Sequence, residues 1–176
     1  MPGMVGSSDP DHARVVANLR ARFPSGRICS GVVRRVLRSV AFVRLDDAQG
    51  VINTLHLTSG YVRDFNERLR VGQVVTAEVM YVDEANAVVY LSTKVLEANP
   101  AAPFSGRIGE MVPATIVAVP QGGAVLLTLS DTLVALLAAT DEERAGLREG
   151  DRVRVRIREV DLGTEPGTHR VTVAMP

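Results

Sequence analysis

Between residues 147 and 161 the chain reads LREGDRVRVRIREVD, with Val153, Val155 and Ile157 alternating with Arg152, Arg154, Arg156 and Arg158. Strict period two predicts a half-buried β-strand, apolar side chains inward and guanidiniums outward. The same frame occurs at 69–83, LRVGQVVTAEVMYVD, where Leu-Arg-x-Gly again precedes an alternating strand that closes on Val-Asp. The earlier copy lacks the arginines, so the strand itself does not demand them. A second match widens the repeat: SGVVRRVLRSVAFV (30–43) aligns without gaps to PATIVAVPQGGAVL (113–126), pairing Val33 with Ile116, Val36 with Val119 and Phe42 with Val125. The inward positions predict one core of Val33, Val36, Val43, Val75, Val79 and Leu91. Its counterpart is Ile116, Val119, Leu126, Val153, Ile157 and Val173.

Each copy reads as the same series of five short strands, predicted at 28–37, 39–46, 50–54, 73–83 and 87–93, then at 111–119, 123–129, 132–137, 151–161 and 168–174. The connections SGYVRDFNERL and ATDEERAGL carry helical character, with Asp141 as the expected cap of the second. Five strands with a helical insert between the third and fourth predict a small closed barrel of the OB type, so the fold class is all-β with two tandem five-stranded barrels. Ahead of them, Asp9-Pro10 opens a short N-terminal helix and Pro24-Ser25-Gly26 stops it. Val15, Val16, Leu19 and Phe23 are its apolar stripe, expected to pack on the first barrel. The domain reading is a tail and helix at 1–25, a barrel at 26–96, a Pro/Ala-rich linker at 97–106 and a second barrel at 107–176.

Composition narrows the function. Twenty basic residues balance twenty acidic ones, so the chain lacks the basic excess of a bulk nucleic-acid binder. Aromatics are 4% and Trp is absent, which limits stacking platforms to a few positions. Lone Cys29 excludes an intrachain disulfide within this sequence and reads as a small buried residue. His12, His56 and His169 share no metal-ligand spacing, and no phosphate loop, serine elbow or dinucleotide fingerprint occurs. The expectation is a non-enzyme with no cofactor and no metal. No segment has the length of a membrane span or the apolar core of a signal peptide, so the expected location is cytoplasmic.

The order GVVRRV…AFVRL…GVI…GQVVTAEVMYVD…VVYLSTK over about 26–96 resembles the S1 RNA-binding domain family. The Gly-x-Val-x-x-Val opening, the Gly-Gln before strand four, the Val-Asp ending and the Leu-Ser-x-Lys close carry the resemblance. Residues 107–174 resemble it more faintly, as a degenerate second copy. The resemblance implies single-stranded RNA on a barrel face where aromatics stack on bases. Its two strand-two aromatics fall on Ser39 and Phe42, its His on Asn53, its Asp on Asp83 and its strand-five Arg on Val88. In copy two the same positions fall on Gly122, Val125, Ala138, Asp161 and Arg170.

One barrel thus keeps an aromatic and the other an arginine. Arg34, Arg35 and Arg38 add a local basic segment for phosphates. Arg154 and Arg156 either reach phosphates too or form a solvated face balanced by Glu149, Asp151, Glu159 and Asp161. The candidate nucleic-acid-binding residues are therefore Phe42, Arg34, Arg35, Arg38, Asn53, Asp83, Arg154, Arg156 and Arg170. The expected partner is single-stranded RNA, in a translation or RNA-metabolism accessory. The alternative is a degenerate tandem-barrel adaptor for a protein partner.

Overall fold

The computed structural model describes residues 9–176. They form two units: one holds the chain up to Leu57 with Arg63–Leu96, the other Thr58–Val62 with Glu97–Pro176. In the first, α1 (Pro10–Arg22) precedes β1 (Ile28–Val36), β2 (Val40–Leu45), β3 (Ala48–Asn53), β4 (Val74–Asp83) and β5 (Val88–Ser92). These close into a barrel in the order β1-β2-β3-β5-β4, with β3 and β5 parallel and the other pairs antiparallel. In the second, β6 (Met111–Ala118), β7 (Val125–Thr128), β8 (Val134–Leu137), β9 (Arg152–Asp161) and β10 (Arg170–Ala174) close in the equivalent order, with α2 (Asp141–Ala145) between β8 and β9.

The repeat extends to individual hydrogen bonds. Gly72 and Gly150 both take left-handed backbone angles, φ 89° and 91°, which explains the glycine in each Leu-Arg-x-Gly turn. Gly72 N donates to Val33 O and Gly150 N to Ile116 O, both at 2.8 Å. The next side chain closes each turn: Gln73 accepts from Arg70 N at 3.0 Å, Asp151 from Arg148 N at 2.9 Å. Ser92 of the Leu-Ser-x-Lys close is fully buried; its hydroxyl donates to His56 O and accepts from Val95 N, both at 3.3 Å.

Both barrels are bulged at the same two places. The β1–β2 register shifts between Val33 and Arg35, leaving Arg34 as the extra residue, and β6–β7 does the same at Val117. The β4–β5 register shifts at Met80 and the β9–β10 register at Arg158. A bulge breaks period two, so the residue after it switches faces. Arg34 and Arg35 accordingly both lie exposed, and Tyr81 turns outward although it shares parity with buried Val79.

The first core contains Val33, Val43, Val75, Val79 and Leu91 as expected, with Val36 half-buried at the barrel end. In the second, Ile116, Ile157 and Val173 are buried, while Val119 and Val153 are partly buried against them. Leu126 corrects the gapless alignment. Val125 pairs with Leu137 as Ala41 does with Ile52, and Leu126 pairs with Leu136 as Phe42 does with Val51. The longer β6–β7 turn inserts one residue, so Leu126 faces out and Leu127 takes the core position. Ala101 and Phe104, from the segment read as linker, join the second core.

In α1, Asp9 caps the helix by accepting from Asp11 N, with Pro10 first in the helix. Val16, Leu19 and Phe23 are buried, but Val15 of the expected stripe is 48% exposed. In α2 the cap is Thr140 rather than Asp141: Thr140 and Glu143 form a reciprocal capping box, and Asp141 is the first helical residue.

Candidate nucleic-acid interface

The outward side of the first barrel carries one continuous register row. Arg35 stands opposite Phe42, Phe42 opposite Val51, Val51 opposite Tyr90 and Tyr90 opposite Tyr81. The bulges at Arg34 and Met80 bring its two ends, Arg35 and Tyr81, to the outer face. Of the four Phe and three Tyr in the chain, Phe23, Phe65 and Phe104 are buried. Phe42, Tyr81 and Tyr90 lie in this row.

A groove of about 480 Å³ opens beside Phe42, lined by Arg34, Arg35, Arg44, Gln49, Asp47 and neighbouring apolar atoms. Arg44 follows Phe42 by two on β2 and pairs with Gln49 on β3, so both face the same side. Among the described residues, Arg34, Arg35 and Arg44 enter no ion pair. Asp47 is the groove's carboxylate, and Arg22 of α1 holds it at 2.7 Å. That hydrogen bond keeps its carboxyl below the usual carboxylate range. The free guanidiniums therefore face an opening whose acid is already partnered. An aromatic face among unpaired guanidiniums suits a nucleobase with its phosphates.

The remaining sequence candidates are placed differently. Arg38 sits exposed in the β1–β2 turn, where its carbonyl accepts from Phe65 N at 2.9 Å. Asn53 lies two residues beyond Val51 on the same side of β3; its carboxamide accepts from Leu55 N at 3.1 Å. Asp83 closes the β4–β5 turn, accepting from Asn86 Nδ2 at 2.7 Å and Ala85 N at 3.0 Å. The Asn86 side chain, with the turn's backbone amides, pulls its carboxyl below the ordinary range. Ser39, at the family's first aromatic position, is exposed in the turn.

In the second barrel the equivalent row is Ala118, Leu126, Leu136, Thr172 and Glu159. The corrected register puts Gly123 and Leu126, rather than Gly122 and Val125, at the aromatic positions, so this face is aliphatic. Arg152, Arg154 and Arg156 are exposed on β9 opposite Thr115, Pro113 and Met111, with no carboxylate facing them in register. Arg156 Nη1 donates to Gly109 O at 2.6 Å and Arg154 Nη2 to Met111 O at 3.4 Å. Arg170 pairs across strands with Asp161, whose carboxylate accepts from Gly163 N at 2.9 Å.

Sequence reading missed Arg44, Gln49, Tyr81 and Tyr90. Arg44 and Gln49 were within reach, since alternation from Phe42 puts Arg44 on its side. Tyr81 was hidden by the bulge.

Among the described residues, no three or more of His, Cys, Asp and Glu are placed to hold a metal ion. No helix there is long and apolar enough to cross a membrane.

Comparison with known proteins agrees with the barrel. The family model described as S1 RNA binding domain matches residues 22–94. The chain is 36% identical over 83 residues to General stress protein 13 of Bacillus subtilis, covering 47% of this chain and 64% of that protein. It is 37% identical over 79 residues to the Translation initiation factor 2 subunit alpha of Archaeoglobus fulgidus, covering 43% of this chain and 30% of that one. It is 28% identical over 148 residues to the small ribosomal subunit protein bS1 of Mycolicibacterium smegmatis, covering 78% of this chain and 30% of that one. The chain thus spans less than two thirds of these relatives. The solution structure of GSP13 from Bacillus subtilis matches at TM-score 0.40 and 32% identity, over 50% of this chain and 74% of that one. It is the first barrel, with the end of α1, that the match to the S1 RNA-binding domain family covers.

Proposed function

We propose that the chain is a non-catalytic, cytoplasmic protein that binds single-stranded RNA on its first barrel, serving as an accessory in translation or RNA metabolism. The observation that carries this reading is the Phe42 groove with its unpaired Arg34, Arg35 and Arg44. A base on the Phe42 ring gains about 1–3 kcal/mol of sequence-tolerant affinity. Phosphates beside the arginines release counterions, which makes the remainder salt-dependent. Gln49 and Asn53 offer carboxamides to base or sugar edges. A ring, guanidiniums and carboxamides bind a ligand; they do not form a nucleophile with its base.

On the second barrel, Arg154 and Arg156 keep most of their five guanidinium donors after bracing β6, and no facing acid neutralises them. With Arg170 they supply further phosphate contacts without stacking. The relatives support the same reading by name, as ribosomal and initiation-factor proteins. A first test is the ratio of absorbance at 260 to 280 nm for freshly purified chain, before and after a high-salt wash. With three Tyr and no Trp, bound RNA dominates that ratio. The expected result is a high ratio that falls on washing; a low, unchanged ratio counts against the reading.

A further inference from the structure

Tyr81 and Tyr90 stack on each other across β4 and β5, ring centroids 4.7 Å apart and planes within 10°. They continue the register row that begins at Arg35 and Phe42, with Val51, only 5% exposed, between Phe42 and Tyr90. Two strand spacings, about 10 Å, separate β2 from β5. Tyr81 remains 49% exposed despite the stack, so much of it is open to solvent. The barrel does not require the pair. At the same bulge and register the second barrel has Glu159 and Thr172. The pair is thus an addition to the face that holds the Phe42 groove.

We propose that the Tyr81–Tyr90 stack is a second base-stacking platform, taking another base of the RNA strand whose neighbour lies on Phe42. This rests on the RNA-binding reading above and extends its site from β2 to β4. Tyr90 backs Tyr81 and holds its ring in place, while the exposed part of Tyr81 meets the base. Because every base has a π-face, the platform adds affinity and lengthens the bound segment without selecting sequence.

The test uses the full chain and fluorescein-labelled oligouridylate in anisotropy titrations of wild type, Phe42→Leu, Tyr81→Leu and Tyr81→Phe, with melting curves for each. Tyr81→Leu keeps apolar bulk and loses the ring; it should weaken binding about 5- to 150-fold, the span of one lost stack, with an unchanged salt slope. Tyr81→Phe should bind like wild type. Saturating oligouridylate should also quench wild-type tyrosine emission, a readout that needs no variant to fold. If Phe42→Leu weakens binding while Tyr81→Leu does not, and emission stays unquenched, the platform is overturned and the RNA reading stands. If wild type binds no oligonucleotide, the reading itself falls and takes the platform with it.

Discussion

Arg35 and Phe42 face each other across β1 and β2 at the first register position after the bulge at Arg34. Without that bulge, period two would turn Arg35 inward with Val33. The bulge sets Arg35 in the same groove as the ring instead, and the same device at Met80 puts Tyr81 at the far end of the row. Two irregularities in an otherwise alternating barrel therefore build its candidate site.

The arginines around Phe42 have a salt signature. Replacing Arg34, Arg35 and Arg44 one at a time with Gln should lower the slope of log K against log salt by roughly 0.7 per lost phosphate contact on a single strand. Folding should be unaffected, since none of the three enters an ion pair among the described residues. Titrations at several salt concentrations, with oligonucleotides of different sequence, check both points; the loss should be uniform across sequences.

For the β9 ladder, Arg154→Gln with Arg156→Gln should reduce the same slope by roughly 1.4. Gln cannot fully reproduce the bonds to Met111 O and Gly109 O, so a small drop in melting temperature accompanies it. A slope that stays put, with only the melting change, would leave these guanidiniums as braces of β6 alone.

Much of this architecture was legible because alternation and turn chemistry agree along the chain. The Leu-Arg-x-Gly repeat marks a real left-handed turn, and the strands stand within about two residues of their expected limits. Legibility failed where one residue is inserted or bulged. VLLT at 125–128 is apolar at three successive positions, so the sequence carried no parity signal against the gapless alignment, and the longer Pro120–Gly123 turn moved the register by one. Tyr81 was lost to parity at Met80. Asp83 was readable as a family position, but its use by the turn through Asn86 depends on a local geometry that sequence does not reveal.

Gly31 in the Gly-x-Val-x-x-Val opening has a packing reason. A Cβ there would fall 2.5 Å from Val43 Cγ1 and 2.7 Å from Arg44 O. Gly31→Ala should destabilise the chain by about 1–3 kcal/mol, the range for overpacking, measured by urea denaturation. Gly106→Ala, with nothing within 4 Å of its Cβ, is the matched control and should be near neutral.

Acid should loosen the first barrel through its turns. The carboxyl of Asp83 lies below its ordinary value because of Asn86, and that of Asp64 because of the Asn66 amide. A depressed carboxylate contributes stability that is full above its unfolded pKa, about 3.9, and is lost as pH falls through the folded value. Asp83→Ala should thus lower the melting temperature at pH 7, and the gap from wild type should close below about pH 4. A gap that persists at low pH would mean the carboxylate is not its source.

The most direct test of the central claim is Phe42→Ala, with affinity for single-stranded RNA and melting temperature measured on the same preparation. Phe42 is half-buried on the outer face beside the arginine groove, rather than in the core. The account predicts binding weaker by about 1–3 kcal/mol, an unchanged salt slope and a melting temperature close to wild type. Unchanged affinity, or a loss of binding that merely follows a large fall in melting temperature, would contradict it.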